Sequence, residues 1–218
     1  MRFALIVSIC ILTAPSVWAK GCGDHRPHTY LYNTIDQIEY VRTQSANDLT
    51  DLQNSHRQVL GLAGGEVGTR FETSFEAKPY DHGLYCLKVK RVEAVFFARP
   101  KIYIANNFGR GSCEYNAVMR HENKHVNTLK ITHNEYTPLY RAHLRSVARD
   151  TPVFDPVRVD DIDAQKEQII EYLSAGLNVY MQGIMEELSS RQQEIDSEEE
   201  YQRVMDVCHR WDKKLEDE

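Results

Sequence analysis

His121-Glu122-Asn123-Lys124-His125 brings together the residue types that metal-assisted hydrolysis needs. On a helix, positions i and i+4 share a face, so both imidazoles can address one ion. Glu122 follows the first His and stands beside that face, where its carboxylate can take a proton from water on the same ion. Two neutral nitrogen ligands and an adjacent carboxylate base are the donor set of a hydrolytic zinc site. The expected cofactor is therefore Zn2+, with His121 and His125 as ligands and Glu122 as the catalytic base.

A catalytic zinc usually takes three protein ligands and keeps one position for water. His133 and Glu135 are near in sequence. On a continuous helix they would lie about 12 and 15 Å along the axis from His125 and could not share its ion; they become candidates only if the helix breaks near Thr132. A Gly and a third His soon after the second His would turn the chain back. Val126-Asn127-Thr128-Leu129-Lys130-Ile131 supplies neither. Further along, His143 is a candidate, and Glu167 and Glu171, one helical turn apart, offer a carboxylate. Tyr136, Tyr140 and His143 are candidate donors to an oxyanion by proximity.

These side chains need a helix to hold them. Ser112 is placed to cap one after the loop Asn106–Gly111, and Glu114 falls in its first turn, where the helix dipole favours an anion. Tyr115, Val118, Val126 and Leu129 recur at roughly helical spacing, and no Gly or Pro intervenes from Ser112 to Thr137. Thr137-Pro138 then reads as an N-cap and first position of a separate helix to Arg149. Before the metal helix, Tyr85, Leu87 and Val89 alternate with Cys86, Lys88 and Lys90 as a half-buried strand. Val92–Ala98 and Ile102–Ala105 are further apolar stretches, and Thr29–Tyr32 is a short candidate strand. Leu49, Leu52, His56, Val59 and Leu60 are loosely helical in spacing. Gly61–Gly68 holds four glycines and reads as a flexible loop, since it lacks the Gly-Lys-Ser/Thr ending of a phosphate loop. After the Pro- and Asp-rich connector Asp150–Asp163, the stripe Ile169, Leu173, Leu177, Tyr180, Ile184 and Leu188 marks a long helix. Ser197 with Glu200 has capping-box spacing and opens a last one, whose buried side would carry Tyr201, Val204, Met205, Cys208, Trp211 and Leu215. The expected fold is α+β: a small antiparallel sheet packed on the metal-binding helix, followed by a C-terminal helical hairpin. A strand running past the metal site would offer its edge to an extended peptide.

The N-terminus reads as a secretory leader. Met1-Arg2 precedes the apolar run Phe3–Leu12, which is too short for a lasting membrane anchor, and Val17-Trp18-Ala19 suits cleavage after Ala19. The expected organisation is a signal peptide over 1–19, a metal-binding domain over 20–150, and a helical extension over 151–218 packed on it. The leader would take Cys10 with it. That leaves Cys22, Cys86, Cys113 and Cys208, an even set that favours two disulfides in one of three connectivities. Losing Arg2 moves the formal charge from −6 to −7. With no basic stripe, that charge speaks against nucleic acid as a partner. The expected location is secreted or periplasmic, without a stable membrane anchor.

His121-Glu122-x-x-His125 on a helix, behind strands, in an exported chain resembles the zincin metallopeptidases. The stretch from Arg70-Phe71-Glu72-Thr73 through Cys86-Leu87-Lys88-Val89, Ile102-Tyr103-Ile104 and Tyr115 to the metal helix is similar to a bacterial family of predicted secreted zinc-dependent proteases. That likeness covers about Thr29 to Ile131 and leaves the C-terminal helices aside. It implies hydrolysis of peptide bonds in a peptide or protein substrate. A carboxylate from Glu167 or Glu171 would match the third ligand of thermolysin-type zincins, and the same zinc chemistry also serves amidases. The competing expectation is a non-catalytic envelope protein with a structural or vestigial metal site and a helical partner-docking surface.

Overall fold

A computed structural model of the chain describes Cys22, Gly23, residues 26–209, Trp211 and Leu215. The expected leader and its cleavage point lie outside these residues. The fold is α+β, in the order β1 (His28–Ile35), β2 (Glu39–Val41), α1 (Ala46–Leu52), β3 (Gly61–Pro79), β4 (Tyr85–Ile104), α2 (Cys113–Arg149), α3 (Ile162–Ile195) and α4 (Glu198–Met205).

The antiparallel hairpin of β3 and β4 is the spine of the sheet. Its turn is tight, with His82 and Gly83 both at positive φ. The separate apolar stretches between Tyr85 and Ile104 are one continuous strand. The sheet is mixed, because β1 and β2 join the far edge of β4 in parallel. Only Asp36–Ile38 separates them, so they run in one direction along one edge, while the hairpin partner β3 occupies the other. Pro100 sits in the gap between the segments paired with β1 (Arg91–Ala98) and β2 (Lys101–Tyr103). Its missing N–H faces that gap, so a proline is tolerated within the central strand.

The glycine run is not a loop: Gly61–Gly68 is the first half of β3. Its composition answers to close packing rather than to flexibility. A Cβ on Gly61 would lie 2.4 Å from Val118 Cγ1 and 2.8 Å from Glu122 Oε1. A Cβ on Gly65, whose φ is +125°, would lie 2.1 Å from the Arg99 carbonyl oxygen. The missing side chain at Gly61 lets β3 lie directly against α2, and the one at Gly65 makes room for the β4 backbone.

Helix α2 starts as expected: Ser112 Oγ accepts from the Tyr115 N–H at 3.1 Å. It does not stop at Thr137, but runs 37 residues to Arg149 with Pro138 inside. Pro138 removes one backbone hydrogen bond, and Thr137 Oγ1 turns inward to donate to the His133 carbonyl at 2.8 Å. The buried stripe continues through the proline, from Val126, Leu129 and His133 to Tyr140, Leu144 and Val147, so packing on both sides overrides the local stop signal. Against this stripe lie the inward residues of β4, with Val92, Ala94, Phe96, Ala98 and Ile102 all fully buried. Ile169, Leu173, Leu177 and Ile184 of α3 enter the same core as Val92 and Phe96, so the C-terminal segment is packed on the first. The long antiparallel helix pair is α2 with α3, and α4 folds back across the start of α2. The disulfides are Cys22–Cys86 and Cys113–Cys208. Among the described residues, no helix is long and apolar enough to cross a membrane.

Gly61→Ala should force β3 and α2 apart and lower stability by about 1–3 kcal/mol, the usual cost of overpacking. Gly64→Ala, whose Cβ would meet nothing within 4 Å, should change it little. Urea unfolding midpoints of the two variants check this.

Candidate metal centre

The His-Glu-x-x-His segment lies in the third and fourth turns of α2, facing the corner where α3 ends and α4 begins. His121 and His125 point their Nε2 atoms at each other, 3.2 Å apart. Asp196, the residue that ends α3, brings Oδ1 to 2.9 Å from His125 Nε2 and 3.2 Å from His121 Nε2. This group of three could hold a metal ion, and among the described residues no fourth His, Cys, Asp or Glu joins it.

The outer nitrogens show why. His121 Nδ1 lies 3.1 Å from Glu200 Oε1, an atom that can only accept when ionised, so Nδ1 carries the hydrogen. His125 Nδ1 meets Gln192 Oε1. Gln192 Nε2 donates to the backbone carbonyl of His125 at 3.0 Å, which fixes the amide and makes Oε1 the acceptor. Both outer nitrogens thus carry a hydrogen, so a neutral ring turns its Nε2 lone pair inward and a protonated ring donates from Nε2 to Asp196. Two such lone pairs and a carboxylate oxygen at about 3 Å repel unless a cation or added protons lie among them. Tetrahedral zinc, with bonds of about 2.0–2.1 Å, needs its donors roughly 3.3 Å apart, close to the spacing found here.

The charges agree. Burial alone would lower the His121 and His125 pKa values, but both are raised, chiefly by Asp196, with Glu122 adding to each, Glu200 to His121 and Gln192 to His125. Burial would raise the Asp196 pKa, yet the hydrogen bonds and charge of the two imidazoles hold its carboxyl well below the usual carboxylate range. Hydrogen bonds from Arg203, Lys124 and His121 likewise hold Glu200 low against a smaller effect of burial.

Glu122 is 4% exposed and lies under β3. Burial pushes its pKa up to about 7, against the lowering effect of both imidazoles and of a hydrogen bond from the Ala63 N–H. A carboxyl poised near neutrality between a strand edge and a pair of ligand-type imidazoles suits a general base. The three residues open onto a cleft of about 800 Å³ between the first residues of β3 and the ends of α3 and α4.

The other candidate ligands are elsewhere: α2 does not break, which carries His133, Glu135 and His143 along its axis away from the pair, and Glu167 and Glu171 lie near the start of α3. His133 is buried, stacks on Phe96 at 4.1 Å and lies 3.2 Å from the Phe96 carbonyl through Nε2. Glu135 pairs with Arg191 at 2.6 Å. His143 bonds to the Gly176 carbonyl at 3.0 Å and stacks on Tyr180. Glu167 and Glu171 are exposed near the start of α3, the far end from Asp196. Tyr140 donates to Thr69 Oγ1 at 3.0 Å in the core, and Tyr136 lines a separate small cavity with His143, so none of the proposed oxyanion donors faces the cleft. Asp196 lies 71 residues beyond His125 and belongs to no spacing pattern. The one sequence signal toward it is the helix break at Asp196-Ser197, which sets a carboxylate on a chain corner.

No family model, curated protein or solved structure matches this chain.

Asp196→Ala and His125→Ala should each abolish stoichiometric metal uptake by the purified protein, while Glu135→Ala should leave it intact; elemental analysis after metal loading checks all three. A second outcome concerns acid. Burial lowers the His133 pKa, so the unfolded chain takes up this proton more readily than the folded one. Stability should therefore fall as pH drops below about 6.5, the ordinary histidine value. His133→Leu should remove that part of the acid loss, read as the difference between the two stability-versus-pH curves.

Proposed function

We propose that the protein is an exported zinc-dependent hydrolase of peptide bonds. The observation that carries this reading is the convergence of His121 Nε2, His125 Nε2 and Asp196 Oδ1 beside the buried Glu122. Two imidazoles and one carboxylate form a donor set suited to zinc, and a three-ligand set leaves a position open, whereas a structural site is closed by four. Zinc bound there would acidify water and polarise the scissile carbonyl. Glu122 accepts the proton of the attacking water and returns it to the leaving amine. Its burial keeps the carboxylate's proton affinity near neutrality, so it can do both.

The substrate is an extended chain. The Leu60 carbonyl accepts from the Ala105 N–H at 3.0 Å, which sets the alternation of β3: even positions bond to β4, and odd positions from Gly61 to Val67 turn their peptide groups to the free edge. Ala63 already spends its N–H on Glu122. The remaining edge groups can pair with a peptide main chain laid along the cleft. Val67, Leu129, Met185 and Leu188 line the cleft on one side of the metal centre and favour apolar substrate side chains there. The two disulfides fit export to an oxidising compartment.

The test is Glu122→Gln in the zinc-loaded protein, assayed on fluorogenic peptides with apolar residues around the scissile bond. Zinc content should be unchanged, and hydrolysis should fall by about 10²–10⁴-fold, the span typical of a general base. Full activity in the variant would remove Glu122 from the chemistry. A zinc-loaded wild type that cuts no peptide would instead favour the non-catalytic envelope protein.

A further inference from the structure

We propose that Glu200 is the positioning residue of the metal centre: it fixes the His121 ring so that Nε2, rather than Nδ1, faces the ion. This rests on the metal-centre reading above and deepens it.

Glu200 stands at the third position of α4, behind the N-cap Ser197. A Glu in that place commonly turns its carboxylate back to the N–H of its own cap. Helix α1 closes such a box in both directions between Ser45 and Asp48. In α4 only the first half forms, with the Glu200 N–H donating to Ser197 Oγ at 3.2 Å. The carboxylate turns toward α2, where Oε1 accepts from His121 Nδ1 at 3.1 Å and from Lys124 Nζ at 2.7 Å. Arg203 grips both oxygens, NH2 to Oε1 at 2.6 Å and Nε to Oε2 at 2.8 Å. The side chain is 12% exposed.

Arg203 belongs to the same helix as Glu200, and Lys124 to the same helix as His121. The two cations therefore brace the carboxylate from both sides and leave its third partner, the imidazole, one orientation. His125 receives an equivalent constraint from Gln192, but from α3, next to Asp196. Glu200 reaches across the break between α3 and α4, so the aim of His121 depends on α4 being docked on α2. The Cys113–Cys208 disulfide pins the same two segments further along.

A plain ion-pair role is the competing account. A carboxylate whose only task was to hold Lys124 and Arg203 would leave metal affinity alone. An orienting acceptor behaves differently, since loss of such a partner behind a metal-bound histidine typically weakens binding about 10–100-fold.

The two accounts separate on the nature of the replacement. Zn2+ affinity of the full oxidised chain is measured by competition with a chromophoric chelator, alongside melting of the metal-free protein and the visible spectrum of the Co2+ form. Glu200→Ala should weaken Zn2+ binding about 10–100-fold and alter the Co2+ bands. Glu200→Met, of similar length and with no acceptor, should do the same and stands in if the alanine variant does not fold. Glu200→Gln keeps an oxygen for Nδ1–H but gives up the charge that Lys124 and Arg203 use, and it should restore most of the affinity. Glu198→Ala, which breaks the Arg57 pair outside the centre, should leave binding as it was. Equal affinity in Glu200→Ala and wild type would overturn the proposal, and so would Glu200→Gln binding as poorly as the alanine variant. A wild type that takes up neither Zn2+ nor Co2+ would bring down the metal-centre reading itself.

Discussion

The corner between α3 and α4 must be held against the third and fourth turns of α2, because three electron-rich atoms meet there. Their mutual repulsion has to be met by something outside the triad. Packing supplies it. Leu173, Leu177 and Ile184 bury α3 along α2 and the sheet, and the Cys113–Cys208 bridge fixes the other end of the returning segment. The apolar core thus sustains a polar arrangement that would spread apart in a free peptide. A cation bound there would relieve the repulsion, as would protons on the two Nε2 atoms.

The second constraint is the approach of β3 to α2. Glu122 is buried because a strand without a side chain at Gly61 lies across it. The same approach raises the proton affinity of Glu122, donates the Ala63 N–H to it and leaves a free strand edge along the cleft. The open strand edge and the electrostatics of Glu122 therefore come from one packing event. A bulkier strand would leave Glu122 solvated, with the low pKa of an ordinary glutamate, and would fill the cleft.

Histidines elsewhere on α2 show how the same residue type takes other roles. His133 lies on the same helix as His121 and His125 but faces the sheet, where it stacks on Phe96 and uses one nitrogen on a backbone carbonyl. His143 is spent on the crossing of α2 and α3. Both rings spend Nε2 on a backbone carbonyl and stack on an aromatic ring, with no carboxylate among these partners. His121 and His125 differ because their outer nitrogens are engaged by side-chain acceptors and their inner ones face a carboxylate.

Local pattern was enough to read the class of fold, the capped start of α2, the long apolar stripe of α3 and the placing of His121, Glu122 and His125 on one helix, because those features depend on periodicity and spacing within a few turns. Cysteine parity pointed to two bridges but not to their pairing, which needs distances. Local signals misled in two places. Thr137-Pro138 looks like a boundary and Gly61–Gly68 like a loop, since both signals describe an isolated chain; a continuous buried face carries α2 through the proline, and contact with Val118 and Glu122 makes extended glycine the residue that fits. Only the tertiary structure decided on Asp196, Gln192 and Glu200. Their link to the histidines spans 67 to 79 residues of chain, and it exists because α3 turns back along α2 for its whole length. Spacing along a helix can bring two imidazoles together; the carboxylate that meets them, and the acceptors that orient them, come from whatever the core brings opposite.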